Sequence, residues 1–287
     1  MEKKYVVGVD CGTTSSKTVI FDFKGNQIGA GQVLNPLTYP SAGRVECDGP
    51  AMIETLYETT RLAIQNAGID PQEIASISCC MFRCTAMTRD KDGGFTYPII
   101  IWQDLRGVEM IPEMEDMLQK AGISKEEFYD ICGMPLAGTY PLSKILWVKK
   151  HYPEAYENAT RIHTMMGLMN KAYGADDYYD DLIDSPWLQL NGEDFEYNDK
   201  LINAFGIDKE KLAPYRKTGE IIGEVTPEVA YKTGLAVGTP IVMGGGDQQI
   251  ACLGVGCTKE GIGYACGGTA GITAGKSYKM LRDPERK

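Results

Sequence analysis

Histidine is nearly missing from this 287-residue sequence: it has only His151 and His163, too few and too unsupported to carry a histidine-based mechanism. Blocks of lysine or arginine are missing as well, and the formal charge is −10, so nucleic acids and anionic membranes are not expected as partners. No apolar stretch approaches the length of a membrane span. The opening Met1-Glu-Lys-Lys-Tyr5 leads into only a short apolar run before Asp10, so no signal peptide is expected and the expected location is cytoplasmic. Cysteine is not scarce, with nine residues, but no pair has Cys-x-x-Cys spacing: Cys79 and Cys80 are adjacent, and neither Cys252 nor Cys257 has a histidine near it. An odd number of thiols without metal spacing predicts reduced, mostly buried cysteines. The length suggests about two domains.

The residues that are present begin with Tyr5-Val-Val-Gly-Val-Asp10-Cys-Gly-Thr13-Thr14-Ser-Ser-Lys17, followed by Thr18 to Phe23. An apolar β-branched run stops at an acid, turns through Gly12 and four hydroxyl residues, presents Lys17 and resumes as a second such run. This layout suits a terminal phosphate. Gly12 lets backbone N–H groups approach an anion, the hydroxyls of Thr13, Thr14, Ser15 and Ser16 are donors, and Lys17 supplies charge. Asp10, at a strand end, could hold Mg²⁺ directly or through water. A Walker loop combines similar residues but must run into a helix. Here Thr18 to Phe23 alternates like a strand and reaches a Lys24-Gly25-Asn26 turn, so a β-hairpin is predicted and a P-loop rejected. The plainer alternative is an ordinary Gly-Thr hairpin in a buried sheet.

Further along, a third strand is expected near Gln27 to Val33. A helix follows through Met52, Ile53, Leu56, Ala63 and Ile64, started by Asp48 and Pro50 and ended by Gly68. Ile74 to Cys80 and Pro98 to Trp102 read as strands, with a hairpin turn near Asp92-Gly93-Gly94 between them, and residues 107–173 are mainly helical. Strands with a helix packed on them predict an α/β fold with a mixed sheet. Near the end, a strand from Thr239 to Met243 leads into Gly244-Gly245-Gly246-Asp247-Gln248-Gln249 and a helix from Ile250 to Val255. Asp247 at that junction is either a helix N-cap or a base that accepts a proton from an attacking hydroxyl. A second glycine-and-hydroxyl turn, Gly267-Gly268-Thr269-Ala270-Gly271, lies between two strand-like runs. Facing the first loop, it would clamp a nucleotide's phosphates.

Four motifs in order, Asp10-Cys-Gly-Thr13-Thr14 with Lys17, Trp102-Gln-Asp104-Leu-Arg106, Gly245-Gly246-Asp247-Gln248 and Gly267-Gly268-Thr269, resemble those of the FGGY carbohydrate kinases, which include xylulose, glycerol and autoinducer-2 kinases. The resemblance implies two actin-like (ribonuclease H-like) α/β domains, here residues 1–254 and the incomplete start of the second at 255–287. It implies ATP and Mg²⁺ as cofactors and phosphorylation of a terminal hydroxyl of a sugar or polyol. By the same resemblance Asp247 is the general base and Asp10 organises Mg²⁺. Gly12, Thr13, Thr14 and Lys17 face the phosphates, Gly267, Gly268 and Thr269 close from the other side, and Arg83, Asp104, Asp247 and Gln248 face the sugar.

Some positions depart from the family pattern. Cys84 stands where glycerol kinases carry glutamate, and Phe82-Arg83 where xylulose kinases carry Met-His. A thiol cannot accept hydroxyl protons as a carboxylate does, so glycerol is not expected. Leu182 to Trp187 replaces small polar residues, and Ala270 stands where many members have serine. The sequence stops soon after the expected second domain begins, so a fragment or truncated product with weak nucleotide affinity is expected, with an exposed apolar face near residues 256–280 and self-association that would allow a homodimer. The competing reading is a non-catalytic lobe that binds a sugar or a partner. An Hsp70- or actin-type ATPase would leave the Trp102 to Arg106 motif unexplained.

Overall fold

A computed structural model describes residues 2–182, 188–192, 194–267, 271–278 and 281–285. Its centre is a six-stranded mixed sheet. The strands are β1 (Tyr5–Cys11), β2 (Ser15–Asp22), β3 (Gln27–Leu34), β4 (Ile74–Met81), β5 (Ile221–Glu224) and β6 (Pro240–Gly246), in the order β5-β6-β4-β1-β2-β3. β1, β4 and β6 run parallel. β2 pairs antiparallel with both β1 and β3, which makes the expected hairpin rather than a strand-to-helix phosphate loop.

The alternation in β2 buries Ser16, Thr18 and Ile20. The buried hydroxyls are satisfied: Thr18 Oγ1 lies 2.9 Å from Thr59 Oγ1 and 3.2 Å from Thr60 Oγ1, and Thr60 in turn meets Tyr173 Oη at 2.7 Å. Those threonines belong to α1 (Gly49–Ala67), which starts where Asp48 accepts the Ala51 N–H at 2.8 Å and ends at Gly68 in the left-handed conformation, as its sequence signals. α1 lies unusually close to β3. A Cβ on Gly31 would stand 2.2 Å from the Thr59 carbonyl oxygen, so only glycine admits the helix at this distance.

One apolar core lies between the sheet, α1 and the helix α2 (Met165–Tyr173). A second is mainly helical, gathering Met114, Phe128, Leu142, Ile145, Leu201 and Phe205, with Ile100 and Ile162 from short strands. The strand expected over Pro98 to Trp102 shrinks to Ile99–Ile100, because the chain turns at Trp102. The helix expected from Ile250 begins earlier, as α3 (Asp247–Gly254), and β6 runs through all three glycines instead of ending before them. All nine cysteines are free, and Cys11, Cys47, Cys79, Cys84, Cys132 and Cys257 are buried. Among the described residues no helix is long and apolar enough to cross a membrane. Within residues 256–280, where an exposed apolar face is expected, Ile262 and Tyr278 are exposed; so are Leu253 and Val255 just before that stretch.

Candidate functional site

Three parallel strands finish side by side. Register sets Asp10 level with Cys80 and Gly245, and Cys11 level with Met81 and Gly246. Asp10 therefore stands at the end of β1, Arg83 two residues beyond β4, and Asp247 directly after β6. In open α/β sheets the crevice outside the carboxyl ends of the strands is where ligands bind. A wide surface depression between Asp90–Asp92 and His151–Glu154 lies elsewhere and holds none of the motif residues.

Asp247 is the first residue of α3 and does not cap it. Its Oδ1 accepts the N–H of the very next residue, Gln248, at 2.8 Å, whereas a capping side chain accepts from two or three residues on. Arg83 Nε lies 3.9 Å from the same oxygen. The Asp247 side chain is 29% exposed, and partial desolvation raises its carboxyl above the usual range against the pull of the Gln248 N–H and Arg83. A partly open carboxylate of raised basicity suits proton acceptance. Gly246 makes room for this pair, since a Cβ there would fall 2.7 Å from Arg83 Cδ. The side-chain oxygens of Gln248 and Gln249 are buried and find no hydrogen-bond partner among the described residues. Both are therefore acceptors that hydroxyl groups of a ligand could satisfy. Sequence reasoning named Gln248 and missed Gln249; the signal for it is its position two residues after Asp247 on the first turn of α3.

Asp10 faces Lys17 across the hairpin and accepts the Cys80 thiol at 3.4 Å. Desolvation raises its carboxyl most, and the negative charge of Asp247 raises it further, while Cys80 and Lys17 oppose the rise. Asp10 thus sits as a partly desolvated carboxylate beside a second acid. Hard oxygen donors of this kind fit Mg²⁺, which takes one or two carboxylates and completes its shell with water and phosphate oxygens. Among the described residues no cluster of three or more His, Cys, Asp or Glu could hold a metal ion unaided.

Gly12 and Thr13 are half-buried in the turn and Thr14 is exposed. Trp102 Nε1 donates to Thr13 Oγ1 at 2.9 Å, which leaves the threonine's own proton free for a ligand. That contact joins the Trp102 motif to the hairpin and gives Trp102 a place in the site that the sequence did not reveal. Gly267 is exposed, with nothing within 4 Å of where a Cβ would stand. Gly268 and Thr269 lie outside the described residues, as do Ile183 to Trp187.

Asp104, named for the sugar by the resemblance, is engaged inside the chain. Asp104 is fully buried, and its oxygens accept from Val45 N at 2.7 Å, Arg106 N at 2.8 Å, and Arg106 Nε and Nη2 at 2.7 Å each. Arg106 also reaches Glu46 at 2.7 Å. With these bonds Asp104 holds the loop that carries Trp102. Lys144, another residue the sequence did not flag, is fully buried and donates to the carbonyls of Cys84 at 2.6 Å and Ile101 at 2.9 Å. It thereby ties the segment after Arg83 to the segment before Trp102. Burial pulls its ammonium down to about 8.

The arrangement defines a class: an α/β protein of the actin-like ATPase fold, with acids and a hydroxyl-rich hairpin at the strand ends. Its structure is similar to that of xylulose kinase from Rhodospirillum rubrum, with a TM-score of 0.90 and 20% identity over 98% of this chain and 57% of that one. It is also similar to Plasmodium falciparum glycerol kinase with ADP, with a TM-score of 0.83 and 20% identity over 95% of this chain and 54% of that one. Residues 5–254 match the N-terminal domain of the FGGY family of carbohydrate kinases, and the chain belongs to that family. Curated relatives include the autoinducer-2 kinases of Escherichia coli K12, 29% identical over 99% of this chain, and of Enterobacter sp. strain 638, 29% identical over 92%. The chain spans 53% and 50% of the length of those two relatives.

Proposed function

We propose that the whole protein, acting in the cytoplasm, transfers a phosphoryl group from ATP to a terminal hydroxyl of a sugar or polyol, and that this chain supplies the sugar face, the base and one phosphate loop. The observation that carries the reading is the meeting of Asp10, Arg83 and Asp247 at the ends of three adjacent parallel strands, beside a hairpin bearing Thr13 and Thr14. Asp247 accepts the proton of the attacking hydroxyl. Arg83 and Gln248 orient the sugar, with Gln249 beside them. Asp10 would hold Mg²⁺, and Gly12, Thr13, Thr14 and Lys17 would hold the phosphates. Bound Mg-ATP supplies the transferable group and neutralises its charge; positioning and the base supply the rest, the base contributing roughly 10²- to 10⁴-fold.

A second reading is a lobe that binds a sugar or a partner without turnover, and the observation on its side is that the chain spans about half the length of its curated relatives. One experiment separates the two. Full-length protein carrying Asp247→Asn is assayed for ADP release against ketopentoses, polyols and autoinducer-2 precursors, with sugar binding measured in parallel. The kinase reading expects sugar binding to persist while ADP release falls by about 10² or more. Unchanged turnover removes Asp247 as the base, and sugar binding with no ADP release from the unsubstituted protein establishes the second reading.

A further inference from the structure

We propose that Asn35 is a positioning residue for phosphate: its side-chain amide sets the direction of the hairpin's backbone N–H groups. Asn35 immediately follows β3, and one face of the turn between β1 and β2 is tied to it. Its Nδ2 donates to the Gly12 carbonyl at 2.6 Å and to the Thr13 carbonyl at 3.2 Å. Its backbone N–H donates to the Thr14 carbonyl at 2.9 Å. The fully buried Ser16 donates its hydroxyl to Asn35 Oδ1 at 2.8 Å, and with two carbonyls on the other end the orientation of the amide is fixed. Asn35 is itself held. Pro36 restricts it to extended backbone, and Leu37 N donates to its carbonyl at 2.9 Å.

The consequence follows from peptide geometry. In a trans peptide the C=O of one residue and the N–H of the next point to opposite sides. Drawing the Gly12 and Thr13 carbonyls toward Asn35 turns the N–H groups of Thr13 and Thr14 away from it, next to the Thr13 hydroxyl that Trp102 has oriented. Successive N–H groups directed to one side form an anion receptor. Without the amide, the two carbonyls are free to rotate outward and would set negative ends of dipoles against the phosphate.

This inference rests on the reading of the hairpin as a phosphate loop, and the probe is chosen to test both. Mg²⁺-tripolyphosphate is titrated into the isotopically labelled chain, with backbone amide resonances followed by NMR and folding checked by thermal melting. The unsubstituted chain is expected to show saturable shifts at the Thr13 and Thr14 amides. Asn35→Ala, and Asn35→Ser as a second variant that keeps a small polar group at the strand end, are expected to melt as cooperatively and to bind about tenfold or more weakly, with those two shifts lost. No binding to the unsubstituted chain at the hairpin defeats the phosphate reading and this inference together. Binding by both variants within twofold, with the same shifts, defeats the role of Asn35 and leaves the phosphate loop standing. Unfolding of both variants makes Asn35 a folding determinant and also overturns the proposal.

Discussion

Lys144 gives the sharpest test of the packing around the site. The ammonium is enclosed and held by two carbonyls, and its titration falls to about 8 from an ordinary 10.5. Below pH 8 both the folded and the unfolded chain carry the proton, and the folded state bears the full cost of the enclosed charge. Between 8 and 10.5 the folded chain releases the proton first, so the unfolded state binds more protons and stability from this group rises with pH. Each pH unit is worth about 1.4 kcal/mol, so the whole window is worth about 3 kcal/mol and the interval from pH 8 to 9.5 about 2 kcal/mol. Other groups titrate in the same range with the opposite sign: burial raises Cys47 and Cys79 to about 12, and stability from them falls as pH climbs past their unfolded values. The difference between the native chain and Lys144→Met isolates the lysine. Urea unfolding at pH 7.5, 8.5 and 9.5 should show the native chain gaining on the variant across the series by about 2 kcal/mol, over a constant offset from the two carbonyls left unpaired. A difference that stays flat within 0.5 kcal/mol, on the order of the additivity error, would refute the enclosed charge.

Gly31→Ala should destabilise the fold by about 1–3 kcal/mol in urea, because α1 must lift off β3 to clear the new methyl; an unchanged midpoint would mean the contact relaxes freely. Arg106→Ala strands the buried Asp104 carboxylate and should cost about 3–5 kcal/mol, and Arg106→Lys should recover little of it, because a lysine cannot make the forked contact; thermal melts of both variants decide. Exposed Leu253, Val255 and Tyr278 should drive self-association, so sedimentation velocity at rising concentration should show a growing dimer fraction, and a sharp monomer at all concentrations would contradict this.

What the sequence made legible was local. The hairpin, the bounds of α1 and the strand before Asp247 are each written in adjacent residues: a β-branched run, a cap, a stop glycine. What it hid depends on residues far apart in the chain. Nothing near Arg106 says that Glu46, sixty residues back, will reach the guanidinium that already grips Asp104. Trp102 and Thr13 are separated by most of the first hundred residues before one indole N–H joins them. Lys144 looks like an ordinary surface residue of a helix, and only the packing of Pro141–His151 against the loops beside the site encloses it. The resemblance named Asp247 and Arg83 together, and the two lie 3.9 Å apart; it also named Asp104, whose hydrogen bonds run to Val45 and Arg106.

The close seat of α1 on β3 has a mechanical outcome. The turn bearing Thr13 and Thr14 hangs from strands that a helix grips at Gly31 through main-chain contact, with no side chain between them to act as a cushion. That turn is an anvil: a molecule pressed against it meets a surface backed by the helix behind it.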